Sequence, residues 1–148
     1  MKVLTIGLDA VPPELLFEAF VDHLPNFKKL MSESVYGRLR SCIPAITIPA
    51  WLVMLSGKTP GELGLYGFRH RRGYSYQDMW IANSLAINRE MIWDMLKNSG
   101  KKVCLVGVPP SYPPFAVNGN LVSCFITPGA DKDYTYPPTL KQEIESWV

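Results

Sequence analysis

The sequence predicts an α/β fold built on a largely parallel sheet flanked by helices. Three observations carry that expectation. Short apolar runs at "VLTIGL" (3–8), "KKVCLVGVPP" (101–110) and "LVSCFI" (121–126) are bounded by turn residues, the pattern of strands buried on both faces. Segments with helical spacing alternate with those runs. The 148 residues are 47% hydrophobic and 19% charged, enough apolar material for one core, so a single domain over 1–148 is expected.

Taken in order, Val3–Leu8 reads as a buried strand that runs into a loop at Asp9. Pro12 and Pro13 suit a first helical turn, and Leu15, Leu16, Ala19 and Phe20 continue it at helical spacing. "LPNFKKLMSES" is a second short helix started by Pro25 and Asn26, and "SVYGRLRSCI" alternates like a second strand. Pro49 opens a helix that carries Ala50 to Leu55 and stops at Gly57, which leaves Thr47 in the strand-to-helix connection. The aromatic stretch from Gly61 to Ser84 has weak periodicity and reads as loop. "NREMIWDMLKNS" (88–99) places Met91, Ile92, Met95 and Leu96 on one face of an amphipathic helix, with Gly100 at its end. The third and fourth strands follow, separated by the proline-rich "PPSYPPFAVNGN", and a terminal helix starts near Thr139.

Composition excludes several classes. A net charge of +2 gives no polyanion-sized footprint. The run "RHRRGYSYQDMW" concentrates arginines beside Tyr74 and Tyr76, yet a loop over the site is favoured there over a nucleic-acid surface. The three cysteines, Cys42, Cys104 and Cys124, are odd in number and widely spaced; they read as reduced core residues, with no zinc-type cluster. The N-terminus is interrupted too early by Asp9 for a signal peptide, and no run approaches a membrane span. The expectation is a cytoplasmic protein with no nucleic-acid partner and no membrane partner.

In an open parallel sheet ligands bind beyond the carboxyl ends of the strands. Asp9 follows the first predicted strand and Thr47 the second. A carboxylate in that position suits a hard divalent cation, and a hydroxyl bound to such a cation is a better nucleophile. A helix opening at Pro49 would aim its free amides at an anion there. Together these features suggest phosphoryl chemistry. Each residue also has a plainer reading: Asp9 as a turn or cap residue, Thr47 as a strand-end or near-cap residue. His23 reads as helix surface and His70 as a solvated loop residue. Asp131 and Asp133 lack the glycine and distal glutamate of a calcium loop and read as exposed turn residues.

The stretches "GLDA", "IPAITIPAWLVMLSGKTPGELGLYGF" and "VGVPPSYPPFAVNGNLVSCFITPGADKDYTYPP" resemble the N-terminal portion of the type I phosphodiesterase/nucleotide pyrophosphatase family, within the alkaline phosphatase superfamily. The most specific element is P-x-x-T-x-P-x-W followed by S-G-x-x-P and a glycine, from Pro44 to Gly64. By that resemblance Asp9 matches the first metal-ligating aspartate, and Thr47 the metal-bound threonine that attacks phosphorus. The implied reaction is in-line displacement at a phosphate ester or anhydride of a nucleotide-like small molecule, through a covalent threonine intermediate. The implied cofactors are two divalent metal ions, commonly zinc.

The chain departs from the family pattern at two places, and a third residue rules out the separate sulfatase branch. Leu63 stands where many members have a histidine before the glycine, Phe68 stands where nucleotide pyrophosphatases have an asparagine, and Ile46 replaces the arginine of a sulfatase motif beginning at Cys42. Family enzymes also draw their remaining metal ligands from later sequence, whereas His23 and His70 match none of those positions. The expectation is therefore an alkaline-phosphatase-like core cut short: part of a larger catalytic domain, inactive without the missing ligands. Such a piece would self-associate or be completed by another polypeptide, because a sheet cut midway leaves an open edge. The competing expectation is a non-catalytic α/β binding module that keeps the motif.

Overall fold

The computed structural model describes residues 2–147, which fall into two compact units divided between Ser41 and Cys42. The first unit is helical turns and irregular chain. A π-helical turn, Leu15–Ala19, closes with the Phe20 amide donating to the Leu15 carbonyl at 2.9 Å. A 3-10 turn at Val21–His23 leads into α1, Pro25–Glu33. Pro25 lies in the first turn of α1, where a missing amide proton costs nothing because first-turn amides have no intrahelical acceptor. Residues 35–41 fold against this turn. Phe17 meets Tyr36 edge to face at 5.2 Å, and the Arg38 guanidinium donates to Glu14 at 2.6 Å and to Glu18 at 2.5 Å.

Neither strand expected in this unit forms. Val3–Leu8 and residues 34–43 join no ladder, and Val3, Leu4, Ile6, Val35 and Leu39 are all exposed. The physical reason is that a strand exists only as half of a hydrogen-bonded pair. β-branched composition favours the extended backbone, but no strand lies among the described residues of this unit to pair with it.

The second unit holds the core. Helix α2 spans Thr47–Ser56, so it starts two positions before the proline expected to open it. Pro49 is tolerated as its third residue because the first amides of a helix have no partner in any case. Ile48, Leu52 and Ser56, four apart, form the buried stripe of α2. Ile48 and Leu52 pack with Leu63, Leu65, Ala82, Met91, Trp93, Val117 and Leu121. Gly57, at φ 68°, ends α2 in the left-handed region and donates to the Val53 carbonyl at 2.9 Å. A single turn, α3 (Pro60–Leu63), follows at once.

The segment from Gly61 to Ser84, expected as loop, contains a short antiparallel hairpin. Its strands are β1 (Arg69–Arg71) and β2 (Met79–Ile81), in the register Arg69↔Ile81, His70↔Trp80 and Arg71↔Met79. The inner pair stacks, His70 on Trp80 at 4.8 Å between centroids, and Trp80 packs on the core. Three-residue strands are too short for periodicity to register in sequence. Helix α4 spans Ile92–Asn98, shorter than expected, because the Asp94 carboxylate accepts from the Met91 amide at 3.0 Å and fixes the start there.

A three-stranded sheet completes the α/β architecture. Strand β3 (Val103–Val106) runs parallel to β4 (Gly119–Val122), and β5 (Thr135–Tyr136) lies antiparallel to β4, so the sheet is mixed. Helix α5, Thr139–Glu145, follows β5. Gly119 faces Val103 across the parallel pair with φ 145°, and a Cβ there would lie 2.0 Å from the Val103 carbonyl oxygen. Only glycine allows the two backbones to approach this closely. Among the described residues no helix is long and apolar enough to cross a membrane.

The close pairing of β3 and β4 gives a direct expectation. Gly119→Ala should lower stability by about 3 kcal/mol, because relieving the clash means moving backbone rather than a side chain. Urea unfolding monitored by tryptophan fluorescence measures it. An unchanged midpoint would show that β3 and β4 can separate without cost.

Candidate functional site

Thr47 is the first residue of α2 and is half-buried. Its placement follows from the turn before it. Ile46 donates its amide to the Pro44 carbonyl at 3.0 Å, and the Cys42 thiol reaches the same oxygen at 3.2 Å. Ile46 then adopts an extended conformation, φ −121° and ψ 148°, and its carbonyl accepts from Ala50 at 3.0 Å to start the helix. Ile46 has no side-chain acceptor with which to cap the first-turn amides. The positive end of the helix is thus presented beside the Thr47 hydroxyl, a setting that favours an anion.

The segment beyond α2 is held by a capping box. The Thr59 hydroxyl accepts from the Glu62 amide at 3.3 Å, and the Glu62 carboxylate accepts from the Thr59 amide and hydroxyl, each at 2.9 Å. These bonds, led by the one from the Thr59 amide, hold the Glu62 carboxyl below the ordinary glutamate range. Gly64, at φ 68°, then ends α3, and the chain turns through buried Leu65 to Gly67 and Phe68. Gly67 stands against Ile46: a Cβ built on it would lie 4.0 Å from Ile46 Cδ1. The glycine turns therefore return the chain to the N-terminus of α2.

Phe68 in turn meets Phe125, with ring centroids 6.1 Å apart and planes tilted by 58°. Phe125 lies just beyond the carboxyl end of β4 and lines an open cleft of about 350 Å³, together with Ser123, Cys124, Thr127, Ala130 and Tyr134. This is where an α/β sheet places its ligands. The loop after β3 adjoins it, since the Ser111 amide donates to Cys124 Sγ at 3.4 Å.

Asp9 lies in the first unit, Thr47 in the second. Asp9 is exposed and sits in a turn with Ala10, whose φ of 53° is in the left-handed region. For an alanine that conformation costs on the order of 1 kcal/mol. His70 is engaged inside the second unit, stacked on Trp80 with Nε2 3.1 Å from the Gly67 carbonyl. Asp131 and Asp133 are exposed, as expected. Among the described residues no group of three or more His, Cys, Asp or Glu side chains is placed to hold a metal ion. The aromatic contact of Phe68 with Phe125 was not legible from the sequence, because a separation of 57 positions carries no periodic signal.

The family model for type I phosphodiesterase / nucleotide pyrophosphatase matches residues 3–147, essentially the whole chain. The chain belongs to that family. A search of curated proteins and a search of solved structures each returned no match. The type I phosphodiesterase/nucleotide pyrophosphatase match spans both units and includes the Pro44–Gly64 element built above. It places the chain among hydrolases of the alkaline phosphatase superfamily, a family that is generally metal-dependent.

The capping box makes stability in this segment depend on pH. Because the Glu62 carboxyl is lowered in the folded state, its contribution is full above the ordinary glutamate range and is lost as pH falls through the lowered value. Wild type should melt above Glu62→Gln at about pH 7, and the gap should narrow as pH falls below the ordinary glutamate range. Thermal melts of the two proteins measure it; a gap that widens in acid would contradict the assignment.

Proposed function

We propose that this chain carries the nucleophile of a phosphate-ester hydrolase. In this reading the Thr47 hydroxyl gives up its proton to solvent and its oxygen attacks phosphorus in a phosphodiester or phosphoanhydride, the ester or bridging oxygen opposite departs with the leaving group, and a phospho- or nucleotidyl-threonine remains. Water then attacks the same phosphorus, releases the phosphate product and restores the Thr47 hydroxyl. The observation that carries the proposal is the position of Thr47 in the first turn of α2, at the positive end of the helix, inside the Pro44–Gly64 element. Gly67 beside Ile46 supports it, since it brings the following loop back to that helix end.

The two-metal centre implied by the family needs more ligands than the described residues gather in one place, so these residues alone do not fit it. Asp9 in the first unit and Thr47 in the second are each proposed as metal ligands, and zinc as the ion. Further ligands would come from outside the described residues, either from a completing polypeptide or from self-association. Cys42, Cys104 and Cys124 are all free thiols, which supports a cytoplasmic setting. The same lack of a gathered ligand set favours the second reading, a non-catalytic binding module that retains the motif.

Two measurements separate the readings. In the assembly that supplies the further ligands, incubation with an aryl phosphodiester and zinc, followed by acid quench and peptide mass spectrometry, should find the phosphoryl adduct on Thr47. Thr47→Ala should remove it and lower turnover by at least about a thousandfold; turnover that survives this change would sink the assignment. Calorimetric titration with zinc should show uptake that Asp9→Ala weakens by at least about tenfold. No uptake by wild type would favour the binding module.

A further inference from the structure

We infer that Phe68 and Phe125 form an aromatic platform that holds a flat, uncharged ester group of the substrate, so that the site selects aryl phosphate esters over alkyl ones. The inference rests on the reading of Thr47 as the reacting centre. It adds the class of group attached to the phosphate.

The path from Thr47 to the platform is a series of direct contacts. Ile46, the residue before Thr47, lies against Gly67, and Phe68 next to it faces Phe125 at 6.1 Å. A substituent on a phosphate at the first turn of α2 would therefore have these two rings on the chain that passes beside Ile46. Both rings are accessible, Phe68 at 37% and Phe125 at 65% exposure. Exposed phenylalanines in contact at the carboxyl end of a sheet lie where ligands dock.

The chemistry of the lining decides what fits. No charged residue lines the cleft. The hydroxyls of Ser123 and Thr127 are already engaged: Ser123 Oγ and Thr127 Oγ1 are 2.6 Å apart, and Thr127 donates to the Cys124 carbonyl at 2.7 Å. Lys141 Nζ stands over the Tyr134 ring at 5.3 Å, so a substituent ring gains its contact here from Phe125. The cleft volume of about 350 Å³ is at the small end for organic ligands, which suits one ring system rather than a long chain. Phe68 also stands where the family resemblance leads one to expect an asparagine. A phenyl ring cannot donate a hydrogen bond to a phosphate oxygen, so this position offers surface for a substituent instead of polarity for the phosphate.

Binding, read separately from turnover, tests the platform. The full chain is titrated calorimetrically with phenyl phosphate and with methyl phosphate. Phenyl phosphate should bind about tenfold more tightly. Phe125→Ala should abolish that preference, and Phe68→Ala should reduce it, with circular dichroism melts confirming that each variant folds. Should Phe68→Ala fail to fold, Phe125→Ala decides alone, because its ring is mostly exposed. Equal affinity for the two esters, binding of neither, or a preference that survives Phe125→Ala would overturn the inference. Thr47→Ala should keep the preference. A retained preference without any phospho-Thr47 would count against the nucleophile reading alone, and lost preference with phospho-Thr47 present would count against the platform alone.

Discussion

Burial of one face of α2 is the constraint on which the rest of the second unit depends. Ile48 and Leu52 are fully buried, and around them gather the turn of α3, the start of α4 and the central strand β4. Removing two such side chains from water contributes on the order of 3–6 kcal/mol, a large share of the stability available to a domain of this size. Once that face is fixed, the rotational position of the helix is fixed with it. Thr47, one residue before Ile48, is thereby held half-buried at the end of the helix whose amides point outward.

The second determinant is the closeness of β3 and β4. Gly119 lets the backbones meet at a point where any side chain would strike the Val103 carbonyl. That pairing sets where β4 ends, and so where Ser123, Cys124 and Phe125 emerge from the sheet. The left-handed glycines Gly57 and Gly64 act in the same way from the other direction. They close α2 and α3 abruptly enough for Gly67 to reach Ile46 and Phe68 to reach Phe125. Helix packing, strand pairing and tight turns thus converge on one end of the sheet, and the aromatic pair is their common product.

The first unit has a different balance of forces. Its best-defined contacts are Phe17 with Tyr36 and the Arg38 fork on Glu14 and Glu18. All three charged side chains are more than half exposed, so these pairs are screened by water and contribute little. No fully buried hydrophobic residue of the described set lies in this unit. Its apolar runs have the composition of strands without the ladder, so Val3–Leu8, expected as a buried strand, is neither paired nor buried.

What the sequence by itself determined was local or compositional. The α/β class, α1 at Pro25, the body of α2 with its stop at Gly57, α4 before Gly100, strand β3 and the family element from Pro44 to Gly64 were all legible, because periodicity, caps and turn residues act within a few positions. Strand β4 was legible only in part: it spans Gly119–Val122 and shares Leu121 and Val122 with the expected run 121–126. Tertiary structure decided the rest. It moved Thr47 from a connection into the first turn of α2, left residues 3–8 and 34–43 without strand partners, and made a hairpin of a segment with no period. It also joined Phe68 to Phe125. Each of these depends on which distant backbone or side chain arrives at a position, and a linear pattern of residues carries no record of that.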